Sequence, residues 1–165
     1  MTRLFVAVWP TDAVLDVLAD LERPHDQGVR WIPRENLHVT LRFLGDADEA
    51  DVAGALGRAT WRATTARLGP AIDVLGDHSL VLPVSGVDEL AATAARATEG
   101  LGTHRSRRPF HGHLTVARLA RRARPHRAVG LRCGATFDVD EVALVASTLT
   151  PDGARYETLA TWPAR

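Results

Sequence analysis

The sequence contains no lysine, one cysteine, one methionine and one tyrosine. A lone thiol, Cys133, cannot close an internal disulfide, so the chain suits a reducing cytosol and not the disulfide-stapled class of small secreted proteins. With lysine missing everywhere, arginine at any one position reflects coding bias as much as chemistry. Long apolar runs are missing too. The opening stretch, Leu4-Phe5-Val6-Ala7-Val8-Trp9-Pro10, is too short for a signal-peptide core or a bilayer span and reads as a first strand. Net charge is absent as well, at +0, which argues against a protein that coats nucleic acid without specificity. What remains is a 165-residue chain, 45% hydrophobic and 24% charged, which fits one domain over residues 1–165 with a real core.

The charge is unevenly spread. Between Gly100 and Phe137 there is no acidic residue, yet nine arginines lie there: Arg105, Arg107, Arg108, Arg118, Arg121, Arg122, Arg124, Arg127 and Arg132. Four of the seven histidines share that stretch. Such an excess marks an anion-facing surface; the alternative is a solvated basic loop balanced by acids elsewhere.

Periodicity assigns the elements. Leu4–Val8 reads as a buried strand, and Thr11 caps a helix over Asp12–Leu21 with an apolar stripe through Val14, Leu15, Val17, Leu18 and Leu21. Val29–Ile32 and Leu37–Leu44 follow as strands, the second ending at Gly45. Asp46 or Asp48 caps a second helix to about Thr65. Ala71–Leu75 and Ser79–Val84 flank a turn at Gly76-Asp77. Ser85 opens a third helix to Leu101, stopped by Gly102. Gly112–Ala117 is a strand leading into an arginine-rich loop, Arg118–Gly130. The chain closes with strands at Thr136–Asp140, Val142–Leu149 and Tyr156–Trp162, the last two joined at Pro151-Asp152-Gly153.

A two-fold rhythm runs through this order. Each half offers a strand, a helix and a strand carrying His-x-Thr: His38-Val39-Thr40 and, 75 residues on, His113-Leu114-Thr115. Mixed elements in this order imply an α+β fold with two similar lobes and a cleft between them. Chance alone supplies roughly 0.6 such motifs in a chain of this composition, so the setting matters more than the string. In both copies the histidine and threonine share one strand face while aliphatic residues share the other.

Two histidines in one cleft suit phosphodiester chemistry. Opening a cyclic phosphate needs a base to take a proton from water and an acid to protonate the departing ribose oxygen. Imidazole can do either near neutrality. One from each lobe would stand on opposite sides of phosphorus, with Thr40 and Thr115 holding non-bridging oxygens as charge builds. The competing explanation is a pair of hydrogen-bonded structural histidines.

The motifs together resemble the two-histidine phosphoesterases, in particular the RNA 2′,3′-cyclic phosphodiesterase or 2′-5′ RNA ligase-like group. The similar segments are Arg3–Pro10, Trp31–Gly45, Phe110–Arg118, Ser147-x-Leu149 and Tyr156-x-x-Leu159-x-x-Trp162-Pro163. The resemblance implies a bilobal α+β fold, with two pseudo-symmetric lobes of largely antiparallel sheet, outer helices and a central cleft. It implies hydrolysis of a 2′,3′-cyclic phosphate to a 2′-phosphomonoester without metal or cofactor. His38 would be the proton donor and His113 the proton acceptor, with Thr40 and Thr115 binding phosphate. Partners would be RNA ends or nucleotides bearing the cyclic phosphate. Neither a membrane nor an obligate protein partner is implied, and the chain would act as a monomer. Gly112 departs from the pattern, standing where the group usually carries proline, which would loosen the start of the second motif strand.

Other residues have lesser claims. Arg118 ends the second motif and is open to a phosphate or a strand-end role. Phe110 could stack on a base or pack in the core. Arg42 follows the first motif on the face of His38 and Thr40, which leaves a phosphate contact open to it with no further support from the sequence. His111 forms a His-x-His pair with His113, but the lack of nearby carboxylates argues against a metal. His25, His78, His104 and His126 read as surface residues, and Trp9, Trp31, Trp61 and Trp162 as core. Three other functions compete with hydrolysis: end-joining at the same site with an alcohol in place of water, a non-catalytic RNA-end or nucleotide-binding module, and a metal-dependent hydrolase.

Overall fold

A computed structural model describes residues 1–125 and 127–165; His126 lies outside the described residues. Among the described residues, ten strands and three α-helices form an α+β fold. The strands are β1 (Thr2–Val8), β2 (Val29–Trp31), β3 (Val39–Ala47), β4 (Thr64–Leu68), β5 (Asp73–Leu75), β6 (Ser79–Ser85), β7 (His113–Leu119), β8 (Ala135–Val139), β9 (Glu141–Thr150) and β10 (Gly153–Pro163). The helices are α1 (Asp12–Ala19), α2 (Glu49–Gly57) and α3 (Asp88–Ala97). None is long and apolar enough to cross a membrane.

The sheet order is β10-β9-β1-β3-β7-β6-β4-β8, with β2 on β7 and β5 on β6. This order is symmetric about the β3–β7 junction, where β1-α1-β3 on one side answers β6-α3-β7 on the other. The two-fold rhythm of the sequence is therefore the architecture. The lobes are not the two halves of the chain, however. β9 and β10 return to the first lobe, β9 pairing with β1, while β8 completes the second by pairing with β4.

Local chemistry explains most of the elements. Thr11 Oγ1 accepts from the Val14 amide and Asp48 Oδ1 from the Asp51 amide, each tying down an N–H at a helix start. The apolar face of the sheet buries Leu4, Val6, Val8, Leu44, Leu80, Leu82 and Leu114 beneath the helices. A smaller cluster of Phe5, Ala7, Ala143 and Val145 forms on the opposite face of the first lobe. β1 is thus buried on both sides, as its unbroken apolar run predicts.

Two helices end or begin elsewhere than periodicity predicts. The second stops at Gly57 rather than near Thr65, because Thr64–Leu68 pairs with β8 in register from Thr64↔Val139 to Leu68↔Ala135. There Ala66 and Leu68 enter the core. The third starts at Asp88, since Ser85 still belongs to β6 and Gly86 turns at φ +90°, a conformation glycine adopts without strain. It ends at Ala97, ahead of Gly100 and Gly102, both at positive φ.

Candidate active site

The lobes meet through a single register pair, Val39↔Leu114. One antiparallel step either side sets Thr40 across from His113 and His38 across from Thr115. Cross-strand neighbours share a face, so two imidazoles and two hydroxyls form one patch. Val39 and Leu114, both 0% exposed, anchor it from beneath. The placement follows from the sheet's symmetry: each motif strand is the inner edge of its lobe.

The two imidazoles are held alike. His38 Nδ1 lies 2.7 Å from the Asn36 carbonyl oxygen, and His113 Nδ1 lies 2.6 Å from that of His111. A carbonyl can only accept, so in both rings Nδ1 carries the hydrogen and donates it, leaving Nε2 turned to the patch. Asn36 is itself held, its Nδ2 donating to the Ala154 carbonyl at 2.9 Å. Around His38, Nε2 sits 3.0 Å from Thr40 Oγ1.

His38 also has an aromatic collar. Its ring centroid is 4.9 Å from Phe5, 5.6 Å from Trp9 and 5.1 Å from Tyr156. Trp9 is fixed by donating from Nε1 to Thr158 Oγ1 at 3.1 Å. Burial among these rings pushes the His38 pKa down to about 4, with Arg118 and His113 adding smaller repulsion and the Asn36 hydrogen bond opposing. In the free protein His38 is therefore neutral at physiological pH. Sequence reading placed Trp9 in the core and gave Phe5 and Tyr156 no site role. The signal lay in β1 and the residue after it, where Phe5, Ala7 and Trp9 alternate with Leu4, Val6 and Val8.

Two β-bulges re-aim two arginines. On β7 the register passes from Thr115↔Val81 to Ala117↔Leu80, skipping Val116, whose carbonyl accepts from the Ile32 amide at 2.9 Å. The extra residue flips the alternation. Arg118, which strict alternation would set with the core, joins the face of His113 and Thr115 and donates to Ser79 Oγ at 2.9 Å. Its guanidinium is close enough to depress the His38 pKa. Arg30 stands opposite Arg118, a like-charge pair that favours an anion between them; sequence reading did not single it out. On β3 the shift runs the other way. Thr40 pairs with Ala7, but Arg42 pairs with Val6 after Leu41 is skipped. Arg42 thus leaves the face of His38 and Thr40, correcting the sequence expectation. Its Nε is buried without a hydrogen-bond partner among the described residues.

Phe110 is 38% exposed, so it is not a core residue. His111 serves the patch through its carbonyl; its ring stacks on His113 with centroids 6.5 Å apart. Gly112 does not loosen the strand. It is buried, its carbonyl accepts from the Val84 amide at 2.9 Å, and a Cβ there would collide with the Val84 carbonyl oxygen. Among the described residues, no three His, Cys, Asp or Glu side chains are grouped to hold a metal. His25, His78 and His104 are exposed. Of the nine arginines in the acid-free stretch, Arg127 alone forms an ion pair among the described residues, with Asp26 at 2.8 Å.

The chain is similar to proteins of one family. An RNA 2′,3′-cyclic phosphodiesterase of Escherichia coli is 31% identical over 97% of this chain and 95% of its own. One from Geobacillus stearothermophilus is 31% identical over 81% of this chain, which spans only 47% of that protein. The crystal structure of E. coli LigT complexed with 3′-AMP superposes with a TM-score of 0.77 at 27% identity, covering 99% of this chain and 98% of that one. The family model of the 2′-5′ RNA ligase superfamily matches residues 9–150, a span that takes in both His-x-Thr strands and the junction between them, and the chain belongs to that superfamily.

Proposed function

We propose that the chain hydrolyses terminal 2′,3′-cyclic phosphates on RNA to 2′-phosphomonoesters. The observation that carries this reading is the pair of like-oriented imidazoles, each with Nε2 free of its backbone anchor, on one face of the lobe junction. In the reaction, His113 Nε2 takes a proton from water as the water oxygen bonds to phosphorus. The P–O3′ bond breaks, and His38, which takes up a proton from solvent at Nε2 when the anionic phosphate binds beside it, passes that proton to the departing 3′ oxygen. Thr40 and Thr115 hold the non-bridging oxygens, Thr40 giving up its contact with His38 to do so, and Arg118 adds positive charge beside them. The group's 2′-phosphate regiochemistry follows from which ribose oxygen faces His38. Action as a single-domain monomer in the cytosol belongs to the same proposal. Its support is a site built within one chain and a lone Cys133.

The test is hydrolysis of a 2′,3′-cyclic nucleotide in EDTA, with the product isomer identified. Turnover that persists and yields the 2′-phosphate supports the reading. Turnover that collapses in EDTA, or a 3′-phosphate product, overturns it. Adding a 5′-hydroxyl oligonucleotide to the same assay reveals any 2′-5′ joining, in which an alcohol replaces water.

The pH profile carries a second expectation. kcat/KM reports the free enzyme; His38, as proton donor, must be charged, so its titration near pH 4, well below the ordinary histidine range, removes activity as pH rises. Bound phosphate favours imidazolium, so the corresponding limb of kcat lies at higher pH. Separate kcat and kcat/KM profiles check this. Coincident limbs near pH 6.5 would show that the aromatic collar does not govern His38.

A further inference from the structure

Beyond the histidine patch, the same sheet face continues along β1 and β3 to a pocket of about 240 Å³ lined by Arg3, Phe43, Gly45, Asp46, Thr103 and His104. Its parts are unusual for a bare surface. The Arg3 guanidinium lies 5.0 Å over the Phe43 ring, although Arg3 stands directly opposite Asp46 in the β1–β3 register. Among the described residues no ion pair joins the two or engages Arg3 otherwise. His104 meets Phe43 in an edge arrangement, at 5.0 Å between centroids. A free guanidinium, an aromatic face and an imidazole thus share one recess.

The recess is one step from the candidate site. Phe5 lies 4.9 Å from His38 and is the cross-strand partner of Phe43, which sets their Cβ atoms about 5 Å apart. Phe5 belongs to one small apolar cluster, and Phe43 packs on it. The loop between α3 and β7 joins the two places a second time. It starts at the pocket, where the His104 amide donates to the Leu44 carbonyl at 2.9 Å and the Asp46 amide to Thr103 Oγ1 at 3.0 Å. It ends at His113, after Arg105, Arg107 and Arg108, all exposed. Gly102 permits this anchoring, since a Cβ there would strike the Leu44 carbonyl oxygen.

We propose that Arg3, Phe43 and His104 form a subsite for the nucleotide adjoining the cyclic-phosphate end of a single-stranded RNA. Arg3 and His104 take the linking phosphodiester, and the aromatic ledge takes the base. Asp46 supplies an acceptor for a base amine or a ribose hydroxyl. The substrate class is then an oligonucleotide rather than a free cyclic mononucleotide. This rests on the hydrolase reading above.

The experiment compares kcat/KM for a 2′,3′-cyclic mononucleotide and for a trinucleotide ending in the same cyclic phosphate. The wild-type ratio is expected to favour the trinucleotide by about tenfold or more. Arg3→Gln and His104→Ala should each lower that ratio about three- to tenfold through KM, and raising salt should lower it in the wild type more than in Arg3→Gln. Phe43→Ala should lower it further, but Phe43 also packs on Phe5, so the two polar variants decide the matter. A wild-type ratio near one, or variants that leave the ratio unmoved, overturns the subsite while leaving the hydrolase reading intact. No turnover of either substrate overturns both.

Discussion

Alanine at His113 is expected to lower kcat on a 2′,3′-cyclic nucleotide by about 10²–10⁴-fold, the range for loss of a positioned acid or base. The same loss is expected for His38→Ala. Substrate affinity should fall far less, because Thr40, Thr115 and Arg118 remain to hold the phosphate. The reason is geometric: each ring spends Nδ1 on a backbone carbonyl, at 2.7 Å for His38 and 2.6 Å for His113. Only Nε2 is left for chemistry, and removing either ring leaves half a proton relay. Because the two act as a unit, the double variant should cost little more than either single one. Steady-state kinetics on the three variants, with His38→Gln to keep the aromatic collar filled, measure this. Single losses under tenfold, or fully additive ones, would mean that the histidines do not work as an acid–base pair.

The second large effect is on stability. Leu114→Ala should cost about 2–5 kcal/mol, the usual toll for truncating a fully buried leucine. Leu114 is 0% exposed and pairs with Val39 on one side and Leu82 on the other. It is therefore shared by the two motif-bearing lobes at their junction. Denaturant unfolding should show a lower midpoint with an unchanged slope. Turnover should drop as well, since the residue sets the spacing of His113 and Thr115. A midpoint shift worth less than about 1 kcal/mol would show that the junction repacks freely.

The bulges explain why the arginines could not be sorted from the sequence. Strict alternation put Arg42 beside His38, a placement the β3 bulge reverses. Arg118, open to a phosphate or a strand-end role, is set on the face of His113 by the bulge at Val116. A bulge depends on which partner strand loses a rung, as when Val116 turns its carbonyl to Ile32. That choice involves residues more than 80 positions apart in the chain. The second helix failed for a related reason. Residues near Thr64 have no strong local preference, and the unpaired edge of β8 decided the matter by offering a ladder.

The His-x-Thr pairs, their shared strand faces and the two-lobed α+β order were determined by the sequence alone, because alternation and apolar runs are local properties that survive any packing. Tertiary structure alone decided that Val39 meets Leu114, that Phe5, Trp9 and Tyr156 enclose His38, and that Arg118 rather than Arg42 shares the face of the histidines. Those outcomes depend on register, and register is settled only when distant strands compete for the same hydrogen bonds and buried area.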